Sequence, residues 1–387
     1  MIKYVSCGEI PANKHVAVEG SVKGKILREE LISTRGFSGI FSTKYHVHIP
    51  SGYSNLKVLQ RPLIKLNDNI PKQYYHLLTN QLQVRGNFIE NRVLLFQNDD
   101  VSISTIKITE NYEKLFKNAS QNELYFIHKG QGLIRTDYGN LKFKEGDYVV
   151  IPKSTIYQFH FELENNLETK IFLVENNEPY MIPKRFRNEF GQLNEVAPYC
   201  ERDFQVPKYD DVIMEGDAEI IVKTGEVLTS YHLNNHPFDV VGWDGYLYPF
   251  TFHIDKFKPI VGKIHLPPPV HVFLENSSSV VCNFVPRLFD WHDNAIPAPY
   301  YHSNVDSDEV IYYAKGDFMS RKGISEGSVT LHPMGLPHGP QPGKQEESIG
   351  KKETVEYAIM VDTFRSLMSS NYIKDITDQD YSNSWSV

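Results

Sequence analysis

The sequence has few of the features that mark secreted, membrane or nucleic-acid-binding proteins. It contains three cysteines, Cys7, Cys200 and Cys282, too few and too scattered for a disulfide framework or a CxxC metal site. No stretch approaches the ~18 consecutive apolar residues of a membrane-spanning helix, and Met1–Glu9 lacks the charged and apolar regions of a signal peptide. The 40 basic and 48 acidic residues form no block of like charge, which argues against a nucleic-acid-binding surface.

These absences predict a cytoplasmic protein in a reducing compartment. Its formal net charge of −8 gives no attraction to nucleic acid or to an anionic membrane. A chain of 387 residues, 41% of them hydrophobic and 12% aromatic, is long enough to form two domains with buried cores. We therefore expect a globular protein whose partner is a small molecule.

What the sequence does contain is a regular series of short segments rich in Val, Ile, Tyr and Phe. Examples are Leu141–Pro152, Glu219–Val227 and Val280–Pro286, and turn residues separate such segments at intervals of roughly eight to twelve residues. That spacing is typical of β-sandwiches and barrels. Helical periodicity is limited to Gln73–Leu82 and Tyr357–Met368, which we predict to be short peripheral helices. The predicted fold class is mainly β.

An internal repeat divides the chain into two related β units. Glu123 and Gly130 follow an E-x6-G pattern, and so do Glu309 and Gly316. Further matching turn residues are Gly146 and Ile151-Pro152 in the first copy, and Gly327 and His332-Pro333 in the second. We place the boundary near residue 235, which gives an N-terminal unit over residues 1–235 and a C-terminal unit over residues 236–387.

The second copy carries histidines and an acid at metal-ligand spacing. His302, Glu309 and His338 match the two halves of the cupin metal motif, and Asn304 stands where many cupins have another histidine. The turn residues that support the match are Gly327, Pro333 and Gly335. The sequence therefore predicts two cupin-like barrel or sandwich units, with a metal in the C-terminal one.

Two imidazoles and one carboxylate leave up to three coordination positions of a divalent metal open. This arrangement is typical of non-heme Fe(II) oxygenases, so the pattern favours iron. Asp308 stands next to Glu309 and could supply the carboxylate instead, although the spacing to Gly316 favours Glu309.

The first copy lacks these ligands. No His-x-His or His-x-Asn stands at ligand spacing before Glu123, and the segment expected to hold the late histidine, Ser154–Gln158, contains none. We predict that the N-terminal unit holds no metal. His46 and His48 form a separate His-x-His pair, but no glutamate follows them at ligand spacing, so we predict a structural role for them.

Several segments in both predicted units match one known family. They are Gly8–Pro11, Lys14-His15, Glu30-Leu31, Gly36-Phe37, Gly146–Lys153, Phe238–Gly245, Pro299–His302 and Pro337–Pro340. On these residues the chain resembles the homogentisate 1,2-dioxygenase family. The resemblance implies that Fe(II) is held by His302, Glu309 and His338. It also implies a homo-oligomer, a trimer or a hexamer.

The activity implied by the resemblance is ring cleavage of homogentisate (2,5-dihydroxyphenylacetate) by O2 to 4-maleylacetoacetate, in tyrosine and phenylalanine catabolism. The family uses a histidine to manage the proton of a substrate hydroxyl, and His265 and His271 are the candidates, with His265 favoured. We expect Tyr300 to line the pocket and His332 to support the metal ligands. The alternatives are a gentisate-type or other hydroquinone dioxygenase, and a non-catalytic metal-binding cupin.

Overall fold

A computed structural model describes residues 2–20, 23–59, 64–67, 72–163, 168–209 and 212–386, and most of their regular structure is β-strand. The strands, in chain order, are β1 (Val5–Gly8), β2 (Arg28–Ser33), β3 (Phe41–His46), β4 (Tyr53–Leu59), β5 (Leu66–Asn67), β6 (Tyr75–Leu78), β7 (Val93–Gln97), β8 (Val101–Ile108), β9 (Leu115–Asn118), β10 (Asn122–Lys129), β11 (Gly132–Thr136), β12 (Gly139–Phe143), β13 (Asp147–Ile151), β14 (Ile156–Phe161), β15 (Thr169–Asn176), β16 (Phe204–Gln205), β17 (Ala218–Thr224), β18 (Val227–Leu233), β19 (Val240–Gly245), β20 (Phe250–His253), β21 (Val272–Glu275), β22 (Ser279–Phe284), β23 (Arg287–Leu288), β24 (Asp308–Lys315), β25 (Ser328–His332), β26 (Glu353–Thr354), β27 (Tyr357–Thr363) and β28 (Met368–Ser370). The mainly β prediction is confirmed.

The helices are short. Among the described residues, one α-helix, α1, spans Lys344–Ser348. The 3-10 helices in the same part of the chain are Thr79–Gln81, Lys184–Phe186, Glu201–Asp203, Ile254–Lys256, Pro268–His271, Asn371–Asp375 and Tyr381–Asn383. No helix in the described part of the chain combines the length and the apolar character that crossing a bilayer requires.

The N-terminal unit is built around a jelly roll formed by β8 to β15. One of its sheets contains the order β8-β15-β10-β13, and the facing sheet contains β9-β14-β11-β12. This alternation of consecutive strands between two sheets is the jelly-roll arrangement found in cupins. The first sheet extends to nine strands, β16-β20-β13-β10-β15-β8-β7-β28-β5, and the second to seven, β12-β11-β14-β9-β17-β18-β4. A separate four-stranded sheet has the order β1-β19-β3-β2.

The C-terminal unit repeats half of this arrangement. Its six-stranded sheet has the order β21-β22-β27-β24-β25-β6, so β22-β27-β24-β25 corresponds to β8-β15-β10-β13 of the first unit. Outside this sheet, β23 pairs with β26, and an isolated antiparallel bridge joins His302 to His338. That bridge corresponds to the pairing of β9 with β14, where Phe116 faces Tyr157.

The nine-stranded sheet is buried on both faces. In β10, Tyr125 and Ile127 point into the core between the two N-terminal sheets, whereas Leu124 and Phe126 point toward the six-stranded sheet. Successive residues of a strand face opposite sides, so a strand buried on both faces reads as one continuous apolar run. Each such buried side chain stabilises the fold by about 1.5–3 kcal/mol relative to an exposed one.

The two units share strands and side-chain contacts. Tyr312 of β24 stacks on Phe172 of β15 with ring centroids 4.6 Å apart, and its hydroxyl lies 2.5 Å from Nδ1 of His128. Strand β6 completes the C-terminal sheet beside β25, while β28 lies in the nine-stranded sheet beside β7. Strands β19 and β20, which follow residue 235, pair with β3 and β13. The boundary near residue 235 stays a prediction.

The two predicted helices are wrong. Gln73–Leu82 contains β6 and a 3-10 turn, and Tyr357–Met368 contains β27 and the start of β28. In β27 the apolar side chains alternate between two cores, since Ile359 faces the nine-stranded sheet and Met360 packs on the opposite side. A strand that is buried on both faces carries apolar residues at nearly every position, so some of them fall at helical spacing by coincidence. Hydrogen bonding to its two neighbouring strands then determines that the segment is extended.

Candidate metal centre

Three ligand atoms converge at one end of the C-terminal barrel. Nε2 of His302 lies 3.5 Å from Oε2 of Glu309, and Nε2 of His338 lies 3.4 Å from Oε1 of the same carboxylate. All three ligand atoms lie within 4.8 Å of one another, and no other group of histidines, cysteines and acids in the described residues meets this condition. The structure thus brings together the three residues predicted as ligands.

Backbone pairing holds the two histidines side by side. The amide of His302 donates to the carbonyl of His338, and the amide of His338 donates back to the carbonyl of His302, each over 2.8 Å. Glu309 is the second residue of β24 and is buried. The isolated bridge therefore sets the distance between the imidazoles, and β24 brings the carboxylate between them.

The donor atoms suit a divalent metal. Nδ1 of His338 lies 3.1 Å from the carbonyl of Leu336, so Nδ1–H donates there and leaves the lone pair of Nε2 directed into the cluster. This Nε2 is buried and has no hydrogen-bond partner. Buried polar atoms are rarely left unpaired, and a metal would give this nitrogen a partner.

The electrostatics of the cluster favour a bound cation. Burial alone would raise the pKa of Glu309, but the surrounding imidazoles of His302, His332 and His338 hold that pKa well below its ordinary value. The hydrogen bond to Glu309 in turn raises the pKa of His302. Glu309 is therefore an anion in a buried position, where a positive partner lowers its free energy.

Asp308, the alternative carboxylate, points away from the cluster. Its Oδ1 accepts from the amide of Met334 over 2.8 Å, and its Oδ2 accepts from the amide of Leu367 over 2.7 Å. Neighbouring residues of a strand face opposite sides, so Asp308 and Glu309 cannot both point to the histidines. Asp308 instead links β24 to the segments that contain Met334 and Leu367.

His332 lies behind the carboxylate ligand. It is fully buried, and its Nδ1 lies 2.7 Å from Oε1 of Glu309. Burial lowers the pKa of His332 to about 4, against the opposing hydrogen bond to Glu309. A neutral imidazole that donates to a ligand carboxylate orients the ligand without adding charge.

A cleft of about 560 Å³ is lined by His265, His271 and Tyr300. The ring of Tyr300 lies 5.2 Å from that of His265 and 6.1 Å from that of His302, so His265 is two ring contacts from a metal ligand. His265 is exposed, with Nδ1 3.4 Å from Oδ2 of Asp290.

His271 differs from His265 in its surroundings. Its Nδ1 is buried without a partner, and its ring packs on Phe284 with centroids 5.0 Å apart. Burial, together with the positive charge of Arg287, lowers the pKa of His271 to about 3. His271 is therefore a neutral residue of the cleft wall.

Comparisons with known proteins match the chain over most of its length. Sequence models described as homogentisate 1,2-dioxygenase N-terminal and C-terminal match residues 78–254 and 266–387. A protein of Saccharolobus solfataricus named "Putative dioxygenase SSO1533" is 39% identical over 388 residues, covering 100% of this chain and 99% of that protein. The chain belongs to the homogentisate 1,2-dioxygenase family. The resemblance inferred from the sequence is confirmed.

Family members named for the substrate are more distant. Homogentisate 1,2-dioxygenase of Bradyrhizobium diazoefficiens is 28% identical over 241 residues, which cover 58% of this chain and 50% of that enzyme. Among solved structures, a cupin 2 conserved barrel domain protein from Leptotrichia buccalis matches with 8% identity and a TM-score of 0.35, over 76% of this chain and 98% of that one. A TM-score this low supports no conclusion about function.

The His-x-His pair formed by His46 and His48 is held by carboxylates. Nδ1 of His46 lies 2.7 Å from Asp239 and its Nε2 lies 3.1 Å from Glu30, while Nδ1 of His48 lies 3.1 Å from Asp239. Both nitrogens of His46 are thus engaged in hydrogen bonds. The pair links the end of β3 to its neighbours. In this member of the homogentisate dioxygenase family it is separate from the cluster of His302, Glu309 and His338.

Two residues of the centre were missed in the sequence. Asp362 of β27 is the cross-strand partner of Glu309, and burial together with the charge of Glu309 raises the pKa of Asp362 well above its ordinary value. Tyr381 lies 3.1 Å from Nε2 of His332. Neither stands at motif spacing from a ligand, so only the strand pairing and the fold reveal them.

Proposed function

We propose that this protein is an Fe(II)-dependent dioxygenase that converts homogentisate and O2 to 4-maleylacetoacetate, with both oxygen atoms entering the product. The observation that carries the proposal is the cluster of His302, Glu309 and His338, whose ligand atoms lie within 4.8 Å of one another in a chain of this family. Family membership supports the dioxygenase class, and iron and the substrate are the finer steps of the proposal. The reaction would belong to tyrosine and phenylalanine catabolism.

The donor set of two imidazoles and one carboxylate would suit iron, because it would leave coordination positions open for substrate and O2. Fe(II) held by two imidazoles and one carboxylate would supply open coordination positions and the redox chemistry that couples O2 to an electron-rich ring. Glu309 would neutralise part of the metal charge. His332 would keep Glu309 in place through the 2.7 Å hydrogen bond.

The cleft supplies the remaining functions. Tyr300 offers an aromatic face for the substrate ring, and the exposed Lys263 at the cleft wall offers a positive charge for the substrate carboxylate. His265 would accept the proton of the hydroxyl remote from the carboxymethyl group. Asp290, 3.4 Å from Nδ1 of His265, would stabilise the imidazolium that forms.

His271 is less suited to take that proton. Its pKa of about 3, lowered by burial, makes it a weak proton acceptor at neutral pH. His265 has an exposed ring and a carboxylate partner. The contrast supports His265 as the general base and His271 as part of the cleft wall.

One observation supports considering a second candidate substrate. The relative that matches the whole chain at 39% identity carries no substrate in its name. A gentisate-type enzyme would use the same ligands and differ in the cleft wall. A non-catalytic metal-binding cupin is the remaining alternative, and O2 consumption separates it from both enzymes.

The deciding experiment is an oxygen-electrode assay of the Fe(II)-loaded protein. Homogentisate should cause uptake of one O2 per substrate, with a ring-opened product that absorbs in the near ultraviolet, whereas 2,5-dihydroxybenzoate should react poorly. The reverse preference would assign a gentisate-type activity. No O2 uptake with either substrate, despite a full complement of iron, would contradict the enzymatic proposal. The homo-oligomer and the cytoplasmic location stay predictions.

A further inference from the structure

We propose that Tyr381 is a positioning residue of the metal centre, which fixes the carboxylate of Glu309 through His332. The inference rests on the proposed metal site and extends it to residues 371–386, here called the tail segment. Tyr381 touches neither the ligand cluster nor the cleft, so its effect must pass through His332. Three observations support this chain of contacts.

The first observation is a continuous line of buried hydrogen bonds. Oε1 of Glu309 lies 2.7 Å from Nδ1 of His332, and Nε2 of His332 lies 3.1 Å from the hydroxyl of Tyr381. His332, Glu309 and Tyr381 are all buried. Glu309, as a carboxylate ligand, only accepts, so Nδ1 of His332 donates to it and the second ring nitrogen, Nε2, is left to accept from the Tyr381 hydroxyl.

The second observation is the direction of the Tyr381 hydroxyl. Burial raises the pKa of Tyr381, against the opposing charge of the nearby Arg321 guanidinium, so the phenol keeps its hydrogen. Arginine can only donate, so Arg321 does not compete for that hydrogen, which remains for His332. Each donor in the line therefore has one acceptor, and the His332 tautomer is defined.

The third observation is that the tail segment also contacts the backbone around His338, on the other side of the metal centre. Nε1 of Trp385 donates to the carbonyl of Gly339 over 3.2 Å, and Arg321 donates to the same oxygen over 2.5 Å. Tyr74, whose ring lies 4.7 Å from that of Trp385, donates to the carbonyl of Pro337 over 2.6 Å. The carbonyls on both sides of His338 are thereby fixed.

Loss of the Tyr381 hydroxyl would disturb the carboxylate ligand and leave the fold in place. Nε2 of His332 would become a buried acceptor without a donor, so the ring would lose the contact that fixes its orientation. The hydrogen bond from Nδ1 that holds the carboxylate of Glu309 would then be less well aligned. Removing partners that orient metal ligands typically weakens metal binding about 10–100-fold.

The test measures Co(II) binding to the full-length apoprotein. Co(II) affinity comes from competition with a chromogenic chelator, and the visible absorption of bound Co(II) reports the ligand geometry. Tyr381→Phe should bind Co(II) about 10–100-fold more weakly than the parent and shift its absorption bands. Tyr199→Phe is the matched control, because Tyr199 is also buried and donates to the carbonyl of Phe273 over 2.6 Å. This control should keep the parent affinity and spectrum.

A second variant tests whether Tyr381 acts through His332. His332→Phe removes the same link and should weaken Co(II) binding at least as much as Tyr381→Phe. In the double variant, Tyr381→Phe should add little to the loss, because the residue it positions is gone. A full additional loss in the double variant would overturn the proposal, and His332→Phe keeps the test decisive if Tyr381→Phe fails to fold.

Failure of this inference differs visibly from failure of the proposed function. Parent affinity and spectrum in Tyr381→Phe overturn the positioning role, whatever the activity of the parent enzyme. A parent protein that binds Co(II) but gives no O2 uptake with homogentisate when loaded with Fe(II) overturns the function and leaves the positioning role intact. A parent that binds no Co(II) overturns both.

Discussion

The two barrels bury a glutamate at the same place in the jelly roll and neutralise it by different means. Each glutamate is the first residue of an E-x6-G pattern. The strand registers place the residues around each glutamate at matching positions in the two barrels. The matched pairs are Phe116 and His302, Glu123 and Glu309, Ile151 and His332, and Tyr157 and His338. The scaffold is thus common to both, and the side chains around the carboxylate differ.

In the N-terminal barrel the chain supplies its own cation. Nη1 of Arg92 lies 3.0 Å from both Glu123 and Glu175, and Nζ of Lys223 lies 2.9 Å from Glu175. The hydroxyl of Tyr157 donates to the other oxygen of Glu123 over 2.6 Å. Two buried anions are balanced by two buried cations, which a low-dielectric interior requires.

In the C-terminal barrel, the carboxylate of Glu309 faces histidine nitrogens with lone pairs, where the N-terminal barrel has the positive charge of Arg92. Nε2 of His338 stands where Tyr157 donates in the other barrel, and it has no partner of its own. A buried carboxylate needs a positive partner, and here a metal ion would provide it. The comparison predicts that an arginine or a free lone pair beside the glutamate decides whether such a barrel can take a metal.

The strongest test of this contrast removes a ligand. His338→Ala should lose the metal and with it the O2 uptake, because two remaining ligands cannot hold the ion against hydration. The loss of affinity should exceed the about 10–100-fold typical of residues that only orient ligands. Metal analysis of the purified protein gives the result, and His48→Ala should keep the parent metal content. Full occupancy in His338→Ala would refute the ligand assignment.

The next test addresses the chemistry that the C-terminal cleft adds. His265→Phe should retain iron and lose on the order of 10² to 10⁴ in turnover, the usual contribution of a general base. His271→Phe is the matched control in the same cleft and should turn over at nearly the parent rate. Steady-state O2 uptake, with iron content measured in parallel, distinguishes them. The opposite pattern would move the base to His271.

A third test removes the internal cation of the N-terminal barrel. Arg92→Met leaves Glu123 and Glu175 with too little positive charge, so unfolding should become easier by about 3–5 kcal/mol. Urea denaturation measures the change. Arg185→Met, which breaks a half-exposed 2.9 Å pair with Glu275, should cost at most about 1 kcal/mol. Equal losses of stability in the two variants would show that the Arg92 cluster has no special structural role.

A milder change tests the predicted absence of metal from the N-terminal barrel. Glu123→Gln keeps the shape of the side chain but weakens its bonds to Arg92 and Tyr157, so it should reduce stability by about 1–3 kcal/mol. Iron stoichiometry and turnover should match the parent. A drop in iron content would show that this barrel takes part in metal binding.

The smallest expected effect concerns the contact between the barrels and depends on pH. Burial, followed by the charges of Lys129 and Lys170, lowers the pKa of His128 to about 4. Below the unfolded value of ~6.5 the unfolded chain binds more protons than the folded one, so stability falls as pH drops from 6.5 toward 4. The loss between pH 7 and 5 should be on the order of 1–2 kcal/mol. His128→Gln should remove this part of the slope in urea titrations, and an unchanged slope would exclude His128 as its source.

Some features of the centre could be predicted from the sequence because they depend on local strand and turn lengths. The spacing of His302, Glu309 and His338 is set by one hairpin and one bridge, so a motif records it. The mainly β fold likewise follows from the regular turns. The family and the fold class are confirmed, whereas the metal itself, the empty state of the N-terminal barrel and the base stay predictions.

Other features arise only from contacts that the folded chain creates. Tyr381 approaches His332, Tyr74 approaches Pro337 and Arg92 approaches Glu175 across long stretches of chain. A single sequence holds no spacing rule for such contacts. The mistaken helix at Tyr357–Met368 has a related cause, because burial on both faces of β27 depends on sheets formed elsewhere in the chain.

The exchange of β6 and β28 between the barrels has a consequence for biosynthesis. Leu78 of β6 pairs with Ser328, and Ser369 of β28 pairs with Phe96, so each sheet needs a strand from the distant part of the chain. During translation β6 leaves the ribosome long before β25, and until then its hydrogen-bonding edge and apolar side chains stay uncovered. Such high contact order slows folding and prolongs exposure to aggregation. Neither sheet can be completed until the ribosome has made most of the chain.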